Sequence, residues 1–158
     1  MNGVSFRLEN SQSTKNLAQE LSLFLKKGDI LGLKGNLGSG KTTFVQGLAH
    51  GLQILTGYTV SSPTFAFIHE YSCAKVPLFH MDFYRLSESS HAQTLGLDHY
   101  LQGQGICAIE WFEKAEDLLP QDFLEIKFQW DVGVSENTRD IHMIAHGPRS
   151  KEILSNFF

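Results

Sequence analysis

The alternation of apolar and polar residues predicts strands at both ends of the chain. Val4, Phe6 and Leu8 alternate with polar neighbours and predict a first strand. Residues 124–130 and 141–145 alternate in the same way on either side of a glycine-containing loop. Two such runs close together in sequence predict a C-terminal antiparallel hairpin.

A helical pattern follows the first strand. Apolar residues recur at helical spacing over residues 17–25, after a stretch at 10–14 that is rich in helix N-cap residues. Lys26, Lys27 and Gly28 predict the end of this helix, because cations favour the negative end of a helix and glycine stops it.

The middle of the chain alternates between strand and helix patterns. Strands are predicted at residues 29–34, 64–71, 78–82 and 106–111, and helices at 43–49, in part of 87–101 with a break at Gly96, and at 149–158. Strands that alternate with helices and then pair locally predict an α/β fold of three layers with a mixed sheet. A length of 158 residues fits one domain, which we predict to span residues 1–158.

Residues 35–42 carry the clearest chemical signal. They read Gly-Asn-Leu-Gly-Ser-Gly-Lys-Thr, a complete G-x-x-x-x-G-K-[ST] phosphate-binding loop between a predicted strand and a predicted helix. In such a loop the backbone N–H groups surround a phosphate, Lys41 reaches the β- and γ-phosphates, and the Thr42 hydroxyl can bind Mg²⁺. The sequence therefore predicts a P-loop NTPase-like fold.

Composition narrows the choice of partners and location. The formal net charge is −4 and only four arginines occur, which argues against a chain that grips nucleic acid by itself. No apolar run approaches the roughly 18 residues that a membrane span needs, and the N-terminus lacks a secretion signal pattern. Cys73 and Cys107 are predicted to be reduced core thiols, so we expect a cytoplasmic protein.

Two acidic residues are candidates for the magnesium partner that a phosphate-binding loop requires. Glu110 ends the apolar run 106–109, and Asp82 ends a similar run that His80 interrupts. Ligands gather beyond the carboxyl ends of parallel strands, so both acids could face the phosphates. One would hold Mg²⁺ and the other would orient it or the attacking water, and the sequence does not decide which.

Two further segments allow either a functional or an ordinary reading. Thr64, in Ser-Ser-Pro-Thr-Phe at 61–65, could bring a hydroxyl near Mg²⁺ on a switch loop, or could simply lead into a strand. Arg85 could neutralise transition-state charge, or could be a surface cation.

Other phosphate-loop activities fit the sequence less well. A small-molecule kinase needs a basic lid, but residues 43–84 contain no arginine and a single lysine, Lys75. A GTPase needs an N-K-x-D sequence to recognise guanine, and the chain has none. A small ATPase that acts with a partner remains, with a kinase and a non-hydrolysing nucleotide-gated scaffold as the alternatives.

Four motifs in order resemble those of a known family. They are G-N-L-G-S-G-K-T-T-F at 35–44, S-P-T-F at 62–65, H-M-D-F-Y-R-L at 80–86 and I-E-W at 109–111. With this spacing the chain resembles the TsaE-type ATPases of bacterial tRNA threonylcarbamoyladenosine biosynthesis over nearly its full length. Outside the motifs, at 87–101 and 112–140, the resemblance is only general.

The resemblance implies a site and partners. ATP would bind to Leu37, Gly38, Ser39, Gly40, Lys41, Thr42 and Thr43, with Thr42 and Glu110 on Mg²⁺ and with Asp82 near the γ-phosphate. Ser11 and Val134 would flank the adenine. Lys41, Asp82 and Glu110 would be the catalytic residues, and Trp111 would either contact a partner or support the site. The partner would be the TsaB–TsaD heterodimer, with tRNA reached indirectly and with no role at a membrane or on DNA.

Overall fold

The computed structural model describes residues 2–63, 65–131 and 133–158. Within these residues the strands are β1 (Gly3–Leu8), β2 (Ile30–Lys34), β3 (Ile68–Tyr71), β4 (Leu78–Asp82), β5 (Ile106–Glu110), β6 (Leu124–Gln129) and β7 (Arg139–Ala145). The helices are α1 (Ser11–Ser22), α2 (Lys41–Gly51), α3 (Ser89–Thr94), α4 (Leu97–Leu101) and α5 (Pro148–Phe157). None of these helices is both long and apolar enough to cross a bilayer.

All of these strands belong to one mixed sheet in the order β1-β7-β6-β2-β5-β4-β3. The central strands β6, β2, β5 and β4 are parallel, whereas β1, β7 and β3 pair antiparallel with their neighbours. The predicted mixed sheet and the predicted C-terminal hairpin, formed by β6 and β7, are therefore confirmed. The carboxyl ends of β2, β5 and β4 lie at one edge of the sheet.

Helices cover the two faces of the sheet and give the predicted three layers. Because side chains alternate along a strand, Leu31 and Leu33 of β2 pack with α1, α2 and α5 on one face. Met81 and Ile109 lie in the opposite core, with α3, α4 and Phe112. Cys73 and Cys107 are free thiols, and burial raises the pKa of Cys107 to about 12.

Three predicted boundaries are wrong. Helix α1 ends at Ser22 and not at residues 26–28. The backbone N–H groups that follow Ser22 donate to carbonyl oxygens only three residues back, which is not the α-helical pattern. The Phe24 carbonyl oxygen instead accepts a hydrogen bond from Arg149 Nη2 at 2.8 Å. Strand β3 begins at Ile68, after the positive φ of 64° at Phe67, and Thr64 lies outside the described residues. Strand β5 ends at Glu110, because the next residue, Trp111, has a φ of 58°.

Two glycines of α2 allow α1 to approach closely. A Cβ at Gly47 would lie 2.4 Å from the carbonyl oxygen of Lys15 and 2.8 Å from Cβ of Ala18. A Cβ at Gly51 would lie 2.0 Å from Oγ of Ser22. This close packing holds α2, which follows the phosphate-binding loop, against α1.

We expect Gly47→Ala to lower the free energy of unfolding by about 1–3 kcal/mol, the usual cost of overpacking. The steric cost outweighs the better helix propensity of alanine, because the nearest atom is a backbone carbonyl oxygen that cannot easily move. Urea unfolding followed by circular dichroism measures the change. The control is His50→Ala at an exposed position of the same helix, with an expected change within about 0.5 kcal/mol. Equal stabilities for the two variants would contradict the close packing.

A side chain from outside α5 caps its N-terminus. Gly147, the N-cap residue, has no side chain, and the carboxylate of Asp122 accepts hydrogen bonds from the backbone N–H groups of Arg149 at 2.6 Å and Ser150 at 2.9 Å. Burial tends to raise the pKa of Asp122, but these N–H groups and the charge of Arg149 outweigh it. The pKa therefore lies below its ordinary value of 3.8.

We expect Asp122→Ala to lower the free energy of unfolding by about 1–2 kcal/mol at pH 7, the cost of losing a helix cap. Because the folded pKa is depressed, the stabilisation is present above the unfolded pKa and is lost as pH falls through the folded pKa. The difference in the free energy of unfolding between wild type and variant should therefore be constant from about pH 7 to about pH 5 and should shrink below about pH 4. Urea unfolding at several pH values measures it, with the exposed Asp117→Ala as control. A difference in the free energy of unfolding that grows in acid would contradict the role of Asp122 as the cap of α5.

Candidate functional site

The turn between β2 and α2 collects backbone N–H groups at one point. Gly38 and Gly40 have φ values of 78° and 107°, which glycine adopts without strain. Gly40 is the N-cap residue of α2 and has no side chain, so it leaves the first N–H groups of the helix for another acceptor. These N–H groups and the positive end of the helix dipole form an anion site.

Lys41 lies buried beneath this turn. Its Nζ donates to the carbonyl oxygen of Gly35 at 2.6 Å and lies 4.6 Å from the centre of the Trp111 ring. Burial lowers the pKa of Lys41, and the carboxylates of Glu110 and Asp82 oppose this shift. A phosphate would offer the ammonium group a charged acceptor in place of a carbonyl.

Asp82 and Glu110 end adjacent parallel strands and are paired in register. Leu78 and Ile106, which share their faces of the two strands, lie in the core beneath α1 and α2. Both carboxylates therefore point to the side of the sheet that carries the phosphate-binding turn. Asp82 is 7% exposed and Glu110 is 3% exposed, and their predicted juxtaposition is confirmed.

Thr42 and Glu110 are in direct contact. The Thr42 hydroxyl lies 3.0 and 3.1 Å from the two carboxylate oxygens of Glu110. His80 lies on the other side, with its Nε2 2.5 Å from Glu110 Oε2. A hydroxyl and a carboxylate beside a phosphate site are the oxygen ligands that Mg²⁺ prefers. The residues present therefore fit a magnesium ion.

Asp82 has different partners. Its Oδ2 accepts a hydrogen bond from the Ser62 hydroxyl, and its Oδ1 accepts one from the backbone N–H of Tyr84 at 2.9 Å. Asp82 therefore ties β4 to the loop that precedes β3. Thr64 of that loop, for which the sequence left open a place near Mg²⁺ or an ordinary turn into a strand, lies outside the described residues.

A cavity of about 390 Å³ opens above the phosphate-binding turn. Its lining consists of the turn, both carboxylates and a group of aromatic and basic side chains: Leu37, Gly38, Ser39, Gly40, Lys41, Thr42, Thr43, Ser62, Asp82, Tyr84, Arg85, Glu110 and Trp111. The volume lies in the range of small-molecule sites. Arg85, which the sequence left open, lines the cavity and also stacks on the Phe65 ring at 4.5 Å.

Most of the chain matches the profile of a known protein family. A profile described as "Threonylcarbamoyl adenosine biosynthesis protein TsaE" matches residues 8–141. This match covers most of the chain and includes the phosphate-binding turn and both carboxylates. The chain belongs to the TsaE family.

Individual TsaE proteins and a solved structure agree with this assignment. The tRNA threonylcarbamoyladenosine biosynthesis protein TsaE of Bacillus subtilis (strain 168) is 42% identical over 149 residues, 94% of this chain and 90% of that protein. The TsaE protein of Haemophilus influenzae is 32% identical over 139 residues, 87% of this chain and 83% of that protein. The crystal structure of Bacillus subtilis YdiB matches with a TM-score of 0.79 at 36% identity and covers 98% of this chain and 93% of that one. The predicted P-loop NTPase-like α/β fold is confirmed.

Two predicted adenine-flanking residues of this TsaE-family chain lie outside the cavity lining. Ser11 begins α1, and Val134 is 79% exposed in the loop between β6 and β7. The ends of that loop do reach the phosphate-binding turn. Arg139 Nη2 donates to the Gly38 carbonyl oxygen at 3.2 Å, and a Cβ at Gly38 would lie 3.3 Å from the Trp130 ring. The adenine roles of Ser11 and Val134 stay predictions.

Sequence reasoning missed three residues near the site. Trp130 and Arg139 stand in no motif, and only the hairpin geometry places them beside Gly38. His80 did carry a signal, because a histidine among the apolar residues of a buried strand, two positions before Asp82, shares the face of Asp82. Its contact with Glu110 depends on the register of β4 and β5, which no local pattern supplies.

Proposed function

We propose that this TsaE-family chain is a Mg²⁺-dependent ATPase. The observation that carries the proposal is the contact between Thr42 and the buried carboxylate of Glu110, directly beside the phosphate-binding turn. A buried carboxylate against the hydroxyl that follows the loop lysine is the arrangement that holds Mg²⁺ in phosphate-loop enzymes. ATP is the proposed nucleotide, because the chain lacks the N-K-x-D sequence that reads guanine.

In the proposed mechanism the N–H groups of the turn bind the phosphates and Lys41 neutralises charge that develops on the γ-phosphate. Thr42 and Glu110 would hold Mg²⁺, which would supply further neutralisation of the phosphates. Asp82, fixed by the Tyr84 N–H, orients the attacking water. Tyr84, Arg85 and Trp111 form the wall that limits entry of bulk water.

We further propose that the chain acts in the cytoplasm as an accessory subunit of tRNA threonylcarbamoyladenosine biosynthesis. Its relatives in Bacillus subtilis and Haemophilus influenzae are named for that pathway. Its ATP binding and hydrolysis would support turnover of a TsaB–TsaD heterodimer, which would make the main contact with tRNA. The net charge of −4 supports this division, because a chain that grips tRNA itself needs clustered cations.

The test measures ATP hydrolysis with Mg²⁺ for the purified chain, alone and with the TsaB–TsaD pair. We expect slow hydrolysis alone and faster hydrolysis with the pair. A hydrolysis rate that the TsaB–TsaD pair does not change would contradict the accessory role, but the chain would still be an ATPase. Phosphorylated product from a metabolite panel would favour a kinase, and nucleotide-dependent binding to the pair without hydrolysis would favour a scaffold.

A further inference from the structure

His80 occupies a position that packing alone does not explain. It is 0% exposed, in the middle of β4, and its flanking residues Phe79 and Met81 are apolar and buried. Burying an imidazole costs free energy unless its nitrogens are hydrogen-bonded. Nδ1 is buried and has no hydrogen-bond partner within the described part of the chain. An apolar residue would serve the core better at this position.

The other ring nitrogen of His80, Nε2, is hydrogen-bonded to Glu110. Nε2 lies 2.5 Å from Glu110 Oε2, so the imidazole and the carboxylate share a short hydrogen bond. In a hydrogen bond between an imidazole and a carboxylate the N–H donates and the oxygen accepts, which makes Nε2 the donor. The Tyr71 ring packs near the imidazole, with 6.3 Å between ring centres and 34° between planes. Neighbouring groups therefore fix the direction in which this single N–H points.

The Glu110 carboxylate is consequently held from two sides. His80 donates to Oε2 from β4, while the Thr42 hydroxyl lies within 3.1 Å of both oxygens from α2. The hydrogen bond from His80 occupies one lone pair of Oε2 and fixes the plane of the carboxylate. The Thr42 hydroxyl, directly after the phosphate-binding turn, approaches the same carboxylate. Carboxylates that bind metals are commonly oriented in this way by a hydrogen-bond donor behind them.

We propose that His80 is a positioning residue, which orients the Glu110 carboxylate for Mg²⁺ through the hydrogen bond from Nε2. The proposal rests on the proposed function, because it concerns the same magnesium site. His80 does not line the cavity, and its hydrogen bond goes to Glu110. It should therefore govern how strongly Mg²⁺ and nucleotide bind together, and not how the nucleotide binds alone.

Two amide variants separate positioning from packing. In His80→Gln the side-chain amide reaches about as far as Nε2 and can donate to Glu110, whereas in His80→Asn the shorter amide ends near the position of Nδ1. His80→Leu takes the place of His80→Asn should that variant fail to fold. Met81→Leu, on the same strand but facing the opposite core, is the control for general disturbance of β4.

The experiment measures binding of β,γ-imido-ATP by calorimetry, first in EDTA and then over a series of Mg²⁺ concentrations. We expect His80→Asn to raise the Mg²⁺ concentration for half-maximal tightening by about 10–100-fold, the usual effect of losing such a partner. Its affinity in EDTA should match wild type. His80→Gln and Met81→Leu should stay close to wild type in both conditions.

The outcomes distinguish the two proposals. If wild type binds the analogue equally well with and without Mg²⁺, the proposed function fails and the role of His80 fails with it. If wild type responds to Mg²⁺ and His80→Asn responds equally, only the role of His80 is overturned. A variant that loses affinity equally in EDTA and in Mg²⁺, with a lowered melting temperature, would show that His80 is only structural.

Discussion

We expect Lys41→Ala to abolish ATP hydrolysis, with a loss of at least about 100-fold in kcat, the range for removal of one group that stabilises transition-state charge. The ammonium group of Lys41 lies beneath the turn that would hold the phosphates, within 2.6 Å of the Gly35 carbonyl oxygen. Alanine leaves no cation there, and the developing charge on the γ-phosphate then lacks its nearest protein counter-charge. Phosphate release from Mg·ATP, followed under single-turnover conditions, measures the loss.

Lys34→Ala is the matched control for this experiment. Lys34 ends β2, in the same part of the chain, but it does not line the cavity above the turn. The control variant should hydrolyse ATP at the wild-type rate. Circular dichroism and urea unfolding should show that Lys41→Ala keeps the fold. Normal hydrolysis by Lys41→Ala would mean that the phosphate-binding turn is not the site of the reaction.

The elements that sequence could predict are those whose signals are local. The glycines, lysine and threonine of residues 35–42 define a backbone turn and its ligands within one short segment. The alternation in β6 and β7 and the break at Gly96 between α3 and α4 are equally local, and the structure confirms them. The end of an apolar run is also a local signal, and it places Asp82 and Glu110 at the carboxyl ends of their strands. Both acids could therefore be predicted at the same edge of the sheet.

What the sequence could not supply depends on contacts between distant segments. Lys26, Lys27 and Gly28 are ordinary stop signals for a helix, yet α1 ends earlier, because the chain after Ser22 turns and gives a carbonyl oxygen to Arg149 of α5. A partner 125 positions away cannot be read from the local pattern.

The division of roles between the two carboxylates is a second case. The strand pattern treats Asp82 and Glu110 alike, since both end apolar strands, and among the sequence signals only the family resemblance distinguishes them. The register of β4 and β5, together with the position of α2, puts only Glu110 in hydrogen-bond contact with Thr42, whereas Asp82 is bonded to Ser62 and to the Tyr84 N–H. The strand pattern alone therefore does not tell which acid would bind the metal, whereas the contacts made in three dimensions favour Glu110.

We expect Glu110→Gln to raise the Mg²⁺ concentration for half-maximal ATP hydrolysis by about 10–100-fold and to lower kcat. Glutamine keeps the size of the side chain but removes the negative charge that would balance the ion, and its neutral oxygen is a weaker ligand. The hydrolysis rate, measured over a series of Mg²⁺ concentrations at saturating ATP, gives both quantities.

Asp82→Asn is the informative comparison, because Asp82 is also buried and also ends a strand beside the turn. Its role at the attacking water predicts a lower kcat with an unchanged Mg²⁺ requirement. We therefore expect Glu110→Gln to change the Mg²⁺ requirement as well as kcat, and Asp82→Asn to change kcat alone. If Asp82→Asn shifted the Mg²⁺ curve while Glu110→Gln left it in place, the metal would belong to Asp82, and the Thr42–Glu110 contact would have to be explained as a structural hydrogen bond of the P-loop helix.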